Sequence, residues 1–295
     1  MIEVRVAETD ADLEAWRAVR LAVVPYERAP SVADLRRAKA EGELQVLAAV
    51  DGILAGSGVA GRSTLAGLGF VAARVLPNTR RRGVGTAVLR VLERHVAELG
   101  FGAAFATADD AVALAFASRF GFREVGRQVE QVRTVGDEPD PVVPPGVQIV
   151  SVAARPELWP LAYDAVAVEA FADLPVPRPA EVSPDEWERE WMTWPEGTFV
   201  ACAAGEVVGV AGLLHDEDNP WRAEHALTAV RRDWRGRGVA SALKRTTIAW
   251  ASRSELRELY TWTQEGNAEM RRLNEHLGYA TRRECVNLEA SLPLR

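Results

Sequence analysis

Residues 228–243 read TAVRRDWRGRGVASAL, and this stretch decides the fold. The apolar strand end Thr228–Val230 gives way to an arginine-rich turn containing Gly236 and Gly238. The turn opens directly into a helix whose positions Val239, Ala242, Leu243, Thr246, Ala249 and Trp250 keep helical spacing. Glycines let a backbone approach a ligand closely, and the unpaired N–H groups of a first helical turn point outward. The helix dipole adds about 0.3–1 kcal/mol in favour of negative charge. The stretch is therefore an anion cradle suited to a phosphate. Two nucleotide patterns are excluded. No Gly-Lys-Ser/Thr is present, as a P-loop needs, and Ser241 stands where a GxGxxG turn has its third glycine.

The pattern that remains is Arg-x-x-Gly-x-Ala, comprising Arg235, Gly236, Arg237, Gly238, Val239 and Ala240. It resembles the acyl-CoA pyrophosphate loop of the GNAT acyltransferase superfamily, which also lies between a strand and a helix. The chain carries the pattern twice. Residues 80–85 read RRRGVG, with Arg80, Gly83 and Gly85 at the matching places, after an apolar strand Val71–Val75 and before a second amphipathic helix. Gly83 and Gly238 are 155 residues apart. Arg119-Phe-Gly-Phe122 likewise recurs as His276-Leu-Gly-Tyr279, with the glycines offset by 157. Two patterns at nearly one offset indicate a duplicated domain.

Composition agrees. A length of 295 residues suits two domains, and 48% hydrophobic with 26% charged residues suits two ordinary cores. A net charge of −7 argues against nucleic acid or an anionic membrane as the main partner. Lys39 and Lys244 are the only lysines, and the arginine- and alanine-rich composition suggests a bacterial genome rich in G and C. Cys202 and Cys285 sit in apolar strand-like segments and are too few for a disulfide framework. His215 and His225 lack a third ligand, so no metal is expected. Without a leader-like or 18-residue apolar run, the cytoplasm is the expected compartment, and the chain is expected to be a monomer or homodimer.

Periodicity and turn residues predict an N-terminal domain over 1–135. Its order is strand, two helices, the Asp51-Gly52 hairpin, a fourth strand with the loop and its helix, a strand, a helix, and closing strands over Phe122–Val135. Residues 136–145, GDEPDPVVPP, read as a linker. A second domain over 146–295 repeats the order, with helices at Pro156–Phe171 and Ser183–Trp194 and a closing strand pair. The fold class is α/β: two tandem GNAT-like domains, each a mixed, mostly antiparallel twisted sheet flanked by helices.

The resemblance implies acetyl-CoA as cosubstrate and N-acetylation of a small-molecule amine by direct attack. A non-catalytic acyl-CoA sensor or scaffold is the alternative. Asn267 opens the last helix and, in the family, such an asparagine reaches the pantetheine or pyrophosphate region besides capping. The first half has Asp110 there, and Ala117 where the second has Asn274. Many family members place a tyrosine at the Asn274 position as general acid. Asparagine cannot donate a proton at neutral pH, which leaves water, Tyr260, Ser241, or no acid at all. Glu224, eleven residues before Arg235, occupies the position of the catalytic glutamate of the superfamily's histone acetyltransferases. Gly69 is its counterpart in the first half.

Glu224 is thus the candidate base, with His225 in reserve on the other strand face. Asp216, Glu217 and Asp218 could attract a cationic acceptor. A backbone N–H at Ala229 or Val230 would polarise the thioester carbonyl. Trp187, Trp191 and Trp194 either wall the acceptor site or pack the core. The second domain is expected to be the active one, and the first degenerate but still able to bind CoA.

Overall fold

A computed structural model describes residues Met1–Arg295. The first half runs β1 (Ile2–Val6), α1 (Asp10–Val23), α2 (Val32–Ala40), β2 (Leu44–Val50), β3 (Ile53–Arg62), β4 (Gly69–Val75), α3 (Val84–Glu98), β5 (Ala103–Ala108), α4 (Ala111–Arg119) and β6 (Arg123–Thr134). The second half repeats this as β7 (Val147–Ser151), α5 (Leu158–Ala162), a π turn (Tyr163–Ala167), α6 (Val168–Ala172), α7 (Pro184–Glu190), β8 (Phe199–Ala203), β9 (Glu206–His215), β10 (Arg222–Val230), α8 (Val239–Arg253), β11 (Glu258–Gln264), α9 (Ala268–His276) and β12 (Ala280–Ser291). No helix is long and apolar enough to cross a membrane.

Local chemistry sets the element boundaries. Thr9 with Asp12, Ser31 with Asp34 and Ser183 with Glu186 form capping boxes that satisfy the first donors of α1, α2 and α7. Asp51 and Gly52 both take positive φ, 53° and 79°, as the tight turn between β2 and β3 requires. The helix expected over Pro156–Phe171 forms over 158–172 as α5, the π turn and α6 in unbroken succession. The Tyr163 hydroxyl, at the start of the π turn, donates to the Val182 carbonyl at 2.7 Å.

The chain divides into two compact units, Met1–Gly126 with Cys285–Arg295, and Arg127–Glu284. This differs from the contiguous split expected at residues 136–145. The closing strand pairs do not form either. β6 and β12 are single strands of 12 residues each, because neither contains the Asn-Gly or Asp-Gly turn that would fold it back. Residues Val286–Ser291 of β12 pair antiparallel with Ala108–Ala103 of β5 in the first unit. Residues Gln128–Thr134 of β6 pair antiparallel with Gln264–Glu258 of β11 in the second. Each half of the sequence thus lends its last strand to the unit built mainly from the other. Strand order is β1-β2-β3-β4-β5-β12 in the first unit and β6-β11-β10-β9-β8-β7 in the second.

In the first unit, Val84, Val88, Leu92 and Val96 of α3 pack on Val46, Ala48, Val71 and Ala104, joined by Val286, Leu288 and Ala290 of the lent strand. The second unit buries one sheet face under α8 and α9, through Leu213, Ala223, Ile248, Leu259 and Leu277. The opposite face lies under α5–α7, through Trp159, Phe171, Trp187, Val210 and Ala229.

Candidate active site

The site is built where two parallel strands part. β10 and β11 pair only at Arg222↔Glu258, Ala223↔Leu259 and Glu224↔Tyr260. Beyond that rung β10 stays paired with β9 to Val230, with a register irregularity between His225 and Thr228. Bulges of this kind re-aim side chains next to sites. β4 and β5 of the first unit also pair briefly, at Gly69↔Ala104 and Phe70↔Phe105. β4 itself shows no irregularity against β3.

The anion cradle forms at the end of β10. Gly236 and Gly238 take φ of 73° and 81°, and Gly238 caps α8 without any side chain. Ala242 is the first residue of α8 whose N–H reaches a helical acceptor, the Gly238 carbonyl at 3.0 Å. The N–H groups of Val239, Ala240 and Ser241 therefore remain for a ligand. A Cβ on Gly236 would meet nothing within 4 Å, so the approach to the loop is open. Arg237 lies 4.7 Å from the Trp234 ring. A cavity of about 690 Å³ next to it is lined by Arg133, Glu138, Asp140, Arg237, Ser241 and Arg245 and walled by the prolines of the linker, with Arg133 paired to Glu138.

Arg235 is less free than its place in the motif suggests. Its Nε donates to the Val230 carbonyl at 2.9 Å, as Arg80 Nε does to Val75 in the first unit at 3.3 Å. Its Nη2 lies 3.2 Å from Glu169 on α6 and 2.7 Å from Asp173, which follows α6 as its C-cap. Arg232 pairs with the same Asp173, and its backbone N–H donates to Glu169 at 2.7 Å. These two carboxylates latch the loop to the helix layer on the far face. The sequence gives no local sign of them, since they lie 59 to 66 residues away.

Glu224 faces α5–α7, because the preceding Ala223 and its β11 partner Leu259 point under α8 and α9. Tyr260 donates its hydroxyl to Glu224 Oε2 at 3.1 Å. Burial, and then the Glu224 charge, push the Tyr260 phenol above its ordinary range, so it serves as a donor and a poor acid. The Arg222 guanidinium lies 4.1 Å from the centre of the Tyr260 ring, fixing its position.

Other expected residues are placed differently. His225 is buried on the opposite face with Nε2 against the Tyr279 hydroxyl. Burial and the nearby Lys244 charge hold it well below the ordinary histidine range, so it is a neutral ring hydrogen-bonded to Tyr279 rather than a reserve base. Arg231 donates to the Val208 carbonyl, so ladder alternation turns the Ala229 N–H toward β9. Thr228 and Val230 are left to present their N–H groups to the gap between β10 and β11. Asp216 is buried and accepts from the Asn219 backbone at 3.1 Å, which makes it a turn anchor rather than bait for an acceptor. Trp187 is fully buried and stacks on Trp159 at 4.1 Å, and Trp194 packs edge-on against Trp250. These rings pack the core.

Asn267 caps α9, its Oδ1 accepting from Met270 at 3.2 Å. Asn274 is buried, and its Nδ2 donates to Gln131 Oε1 at 2.9 Å. A surface contact by Asn274 is thereby ruled out, but its Oδ1 and the Oγ1 of Thr228 are both shut from solvent with no hydrogen-bond partner. Both belong to the α8–α9 side of the sheet. Orphaned polar atoms beside parted strands and an open helix start fit an extended polar ligand with a phosphate end, as acetyl-CoA is. In the first unit, by contrast, the Phe116 ring lies 3.3 Å from where a Cβ on Gly85 would stand, at the start of the corresponding helix.

The fold is that of a family of acetyltransferases. The chain belongs to the acetyltransferase (GNAT) family, whose model matches residues 11–122 and again 164–279. Among solved structures it is similar to the GCN5-related N-acetyltransferase from Sphaerobacter thermophilus, at 20% identity and a TM-score of 0.77, covering 98% of this chain and 95% of that one. It is also similar to a tandem GNAT protein from the clavulanic acid biosynthesis pathway, at 18% identity and a TM-score of 0.76, covering 99% and 98%. A putative acetyltransferase from Pyrococcus horikoshii follows at 16% identity and a TM-score of 0.63, covering 98% and 89%. At these identities the likeness is one of fold. No curated protein matches the sequence.

Proposed function

We propose that this protein transfers an acetyl group from acetyl-CoA to the amine of a small molecule, and that the Arg127–Glu284 unit does so. The observation that carries the reading is Glu224. It is held by Tyr260 at the last paired rung before β10 and β11 part, where the first half has Gly69. An amine of pKa about 10 is only one part in roughly a thousand neutral at pH 7, so a base beside the acceptor is needed. Glu224 accepts that proton. The N–H groups of Val239, Ala240 and Ser241 bind the pyrophosphate, with Arg237 and Arg245 of the adjoining cavity adding positive charge. The Val230 N–H, or that of Thr228, holds the carbonyl oxygen as negative charge builds on it. Acetyl-CoA supplies the activated acyl group and a thiolate that is a tolerable leaving group. No cysteine is placed to carry the acyl group covalently.

The expected first unit is a degenerate copy that keeps the loop and lacks the base. A second reading, a non-catalytic acyl-CoA sensor, is favoured by Asn274, which is sealed against Gln131 where many relatives have an acidic tyrosine. Incubation of the full chain with acetyl-CoA and an amine library, read by mass spectrometry, separates the two. A +42 Da product with CoA release supports the enzyme, and tight CoA binding without turnover of any amine supports the sensor.

A further inference from the structure

The half without a base at the Glu224 position holds a different polar site, on the sheet face that carries α1. Phe70 and Ala72 of β4 pack on that face with Leu13 and Trp16, so strand alternation puts Arg74 there as well. Ser57 of β3 is its cross-strand partner. The Arg74 guanidinium lies 5.6 Å from the centre of the Trp16 ring, whose Nε1 is fixed on the Gly58 carbonyl at 2.8 Å. Arg20, one turn beyond Trp16 on α1, bonds through Nη2 to Glu27 at 2.9 Å and to the Arg28 carbonyl at 3.0 Å.

Three atoms of this group are closed to solvent and bond to nothing: Arg74 Nη1, Arg20 Nε and Ser57 Oγ. Burial and the nearby Arg20 charge push Arg74 down to about 9. A guanidinium kept at such a cost without a counter-ion lacks the partner that would stabilise it. Glu27 pairs with Arg20, while Arg74 has no carboxylate within ion-pair distance and feels Glu27 and Glu43 only at longer range. The missing partner is a monoanion with planar acceptor oxygens, and the indole of Trp16 offers an apolar wall for whatever bears them.

We propose that the Met1–Gly126 unit binds a small organic monocarboxylate, with Arg74 Nη1 and Ser57 Oγ donating to its oxygens and Arg20 completing the positive field. The site is separate from the acyl-transfer site and stands whether or not that reading holds.

Calorimetry on the full chain tests it, at constant ionic strength, with a panel of monocarboxylates from acetate to benzoate as probes and phosphate and chloride as comparisons. Saturable binding of at least one carboxylate is expected, weakened about tenfold or more by Arg74→Met and by Ser57→Ala. Ligand-free Arg74→Met should melt higher than the natural protein, because it removes an unanswered charge. Lower melting of that variant, or its failure to fold, would mean the fold already answers Arg74, and the proposal falls. It falls equally if no carboxylate saturates, if binding survives both substitutions, or if phosphate binds in preference.

Discussion

The Tyr260 hydroxyl donates to Glu224 Oε2 at 3.1 Å across the last rung shared by β10 and β11. A donor aimed at a carboxylate favours its charged, proton-accepting form, and here it also fixes which way the carboxylate points. Glu224→Gln keeps shape and removes proton acceptance, so turnover should fall by roughly 10²–10⁴ while CoA affinity hardly changes. Tyr260→Phe should retain more activity and move the acid limb of kcat/KM to higher pH. Near-normal turnover in Glu224→Gln would assign the base elsewhere and end the proposed role.

The two loops allow the units to be told apart. Gly238→Glu places a bulky negative group at φ 81° in the cradle, and calorimetry should show loss of tight CoA binding. Gly83→Glu, at φ 87° in the first unit, should leave the tight site intact. If the second variant abolished binding and the first did not, the working cradle would be the first unit's.

Arg235 is shared between its loop and the carboxylates of Glu169 and Asp173, which puts negative charge close to where phosphate is expected. The two arginine hydrogen bonds hold the Asp173 carboxyl down at about 2. Its folded value lies below its unfolded one, so the stabilisation is present above the ordinary carboxylate range and is lost only as pH falls toward 2. Acidification within the working range therefore does not release the latch. The double variant Glu169→Gln with Asp173→Asn should bind CoA about two- to fivefold more tightly at low salt. Weaker binding would show instead that the latch holds the loop in its phosphate-ready shape.

Lys244 gives a stability signature. It is buried in α8 with its ammonium 5.3 Å from the centre of the Tyr279 ring, and burial pushes it from 10.5 down to about 7. Between those values the unfolded chain holds a proton that the folded one lacks, so the folded state gains stability as pH rises from about 7 towards 10.5. Below pH 7 the buried charge is a standing cost. Lys244→Met should raise the melting temperature at pH 6 by several degrees and lessen the rise on the alkaline side. Parallel pH–stability curves for the two proteins would contradict this.

What the sequence reveals follows from what is local in the chain. The loop, its duplicate, the Asp51-Gly52 turn and the cap at Ser31 are written in a few adjacent residues and form where they are read, whereas the helix expected over Ser183–Trp194 starts at its Ser183 cap but ends at Glu190. Glu224 is singled out by the family resemblance alone, eleven residues before Arg235, because strand alternation by itself does not mark a carboxylate on β10 as special. The site lines that could not be read are long-range: Tyr279 against His225 is 54 residues away, and Asn274 against Gln131 is 143. The exchange of β6 and β12 is invisible for a related reason. A strand's side-chain alternation says which face is buried, and it is the same whichever neighbour the backbone pairs with.

That exchange has a consequence for how such a protein can change over time. The first half has Gly69 rather than a carboxylate at the position of Glu224, yet it is not dispensable, because Gln128–Thr134 is the neighbour of the strand that carries Tyr260. A gene shortened to either half would encode a sheet missing one rung and a stray strand with nothing to join. Duplication here works as a ratchet. The copies are free to diverge in chemistry yet are bound to be inherited together, and a protease cutting within residues 136–145 would yield two fragments that stay interlocked.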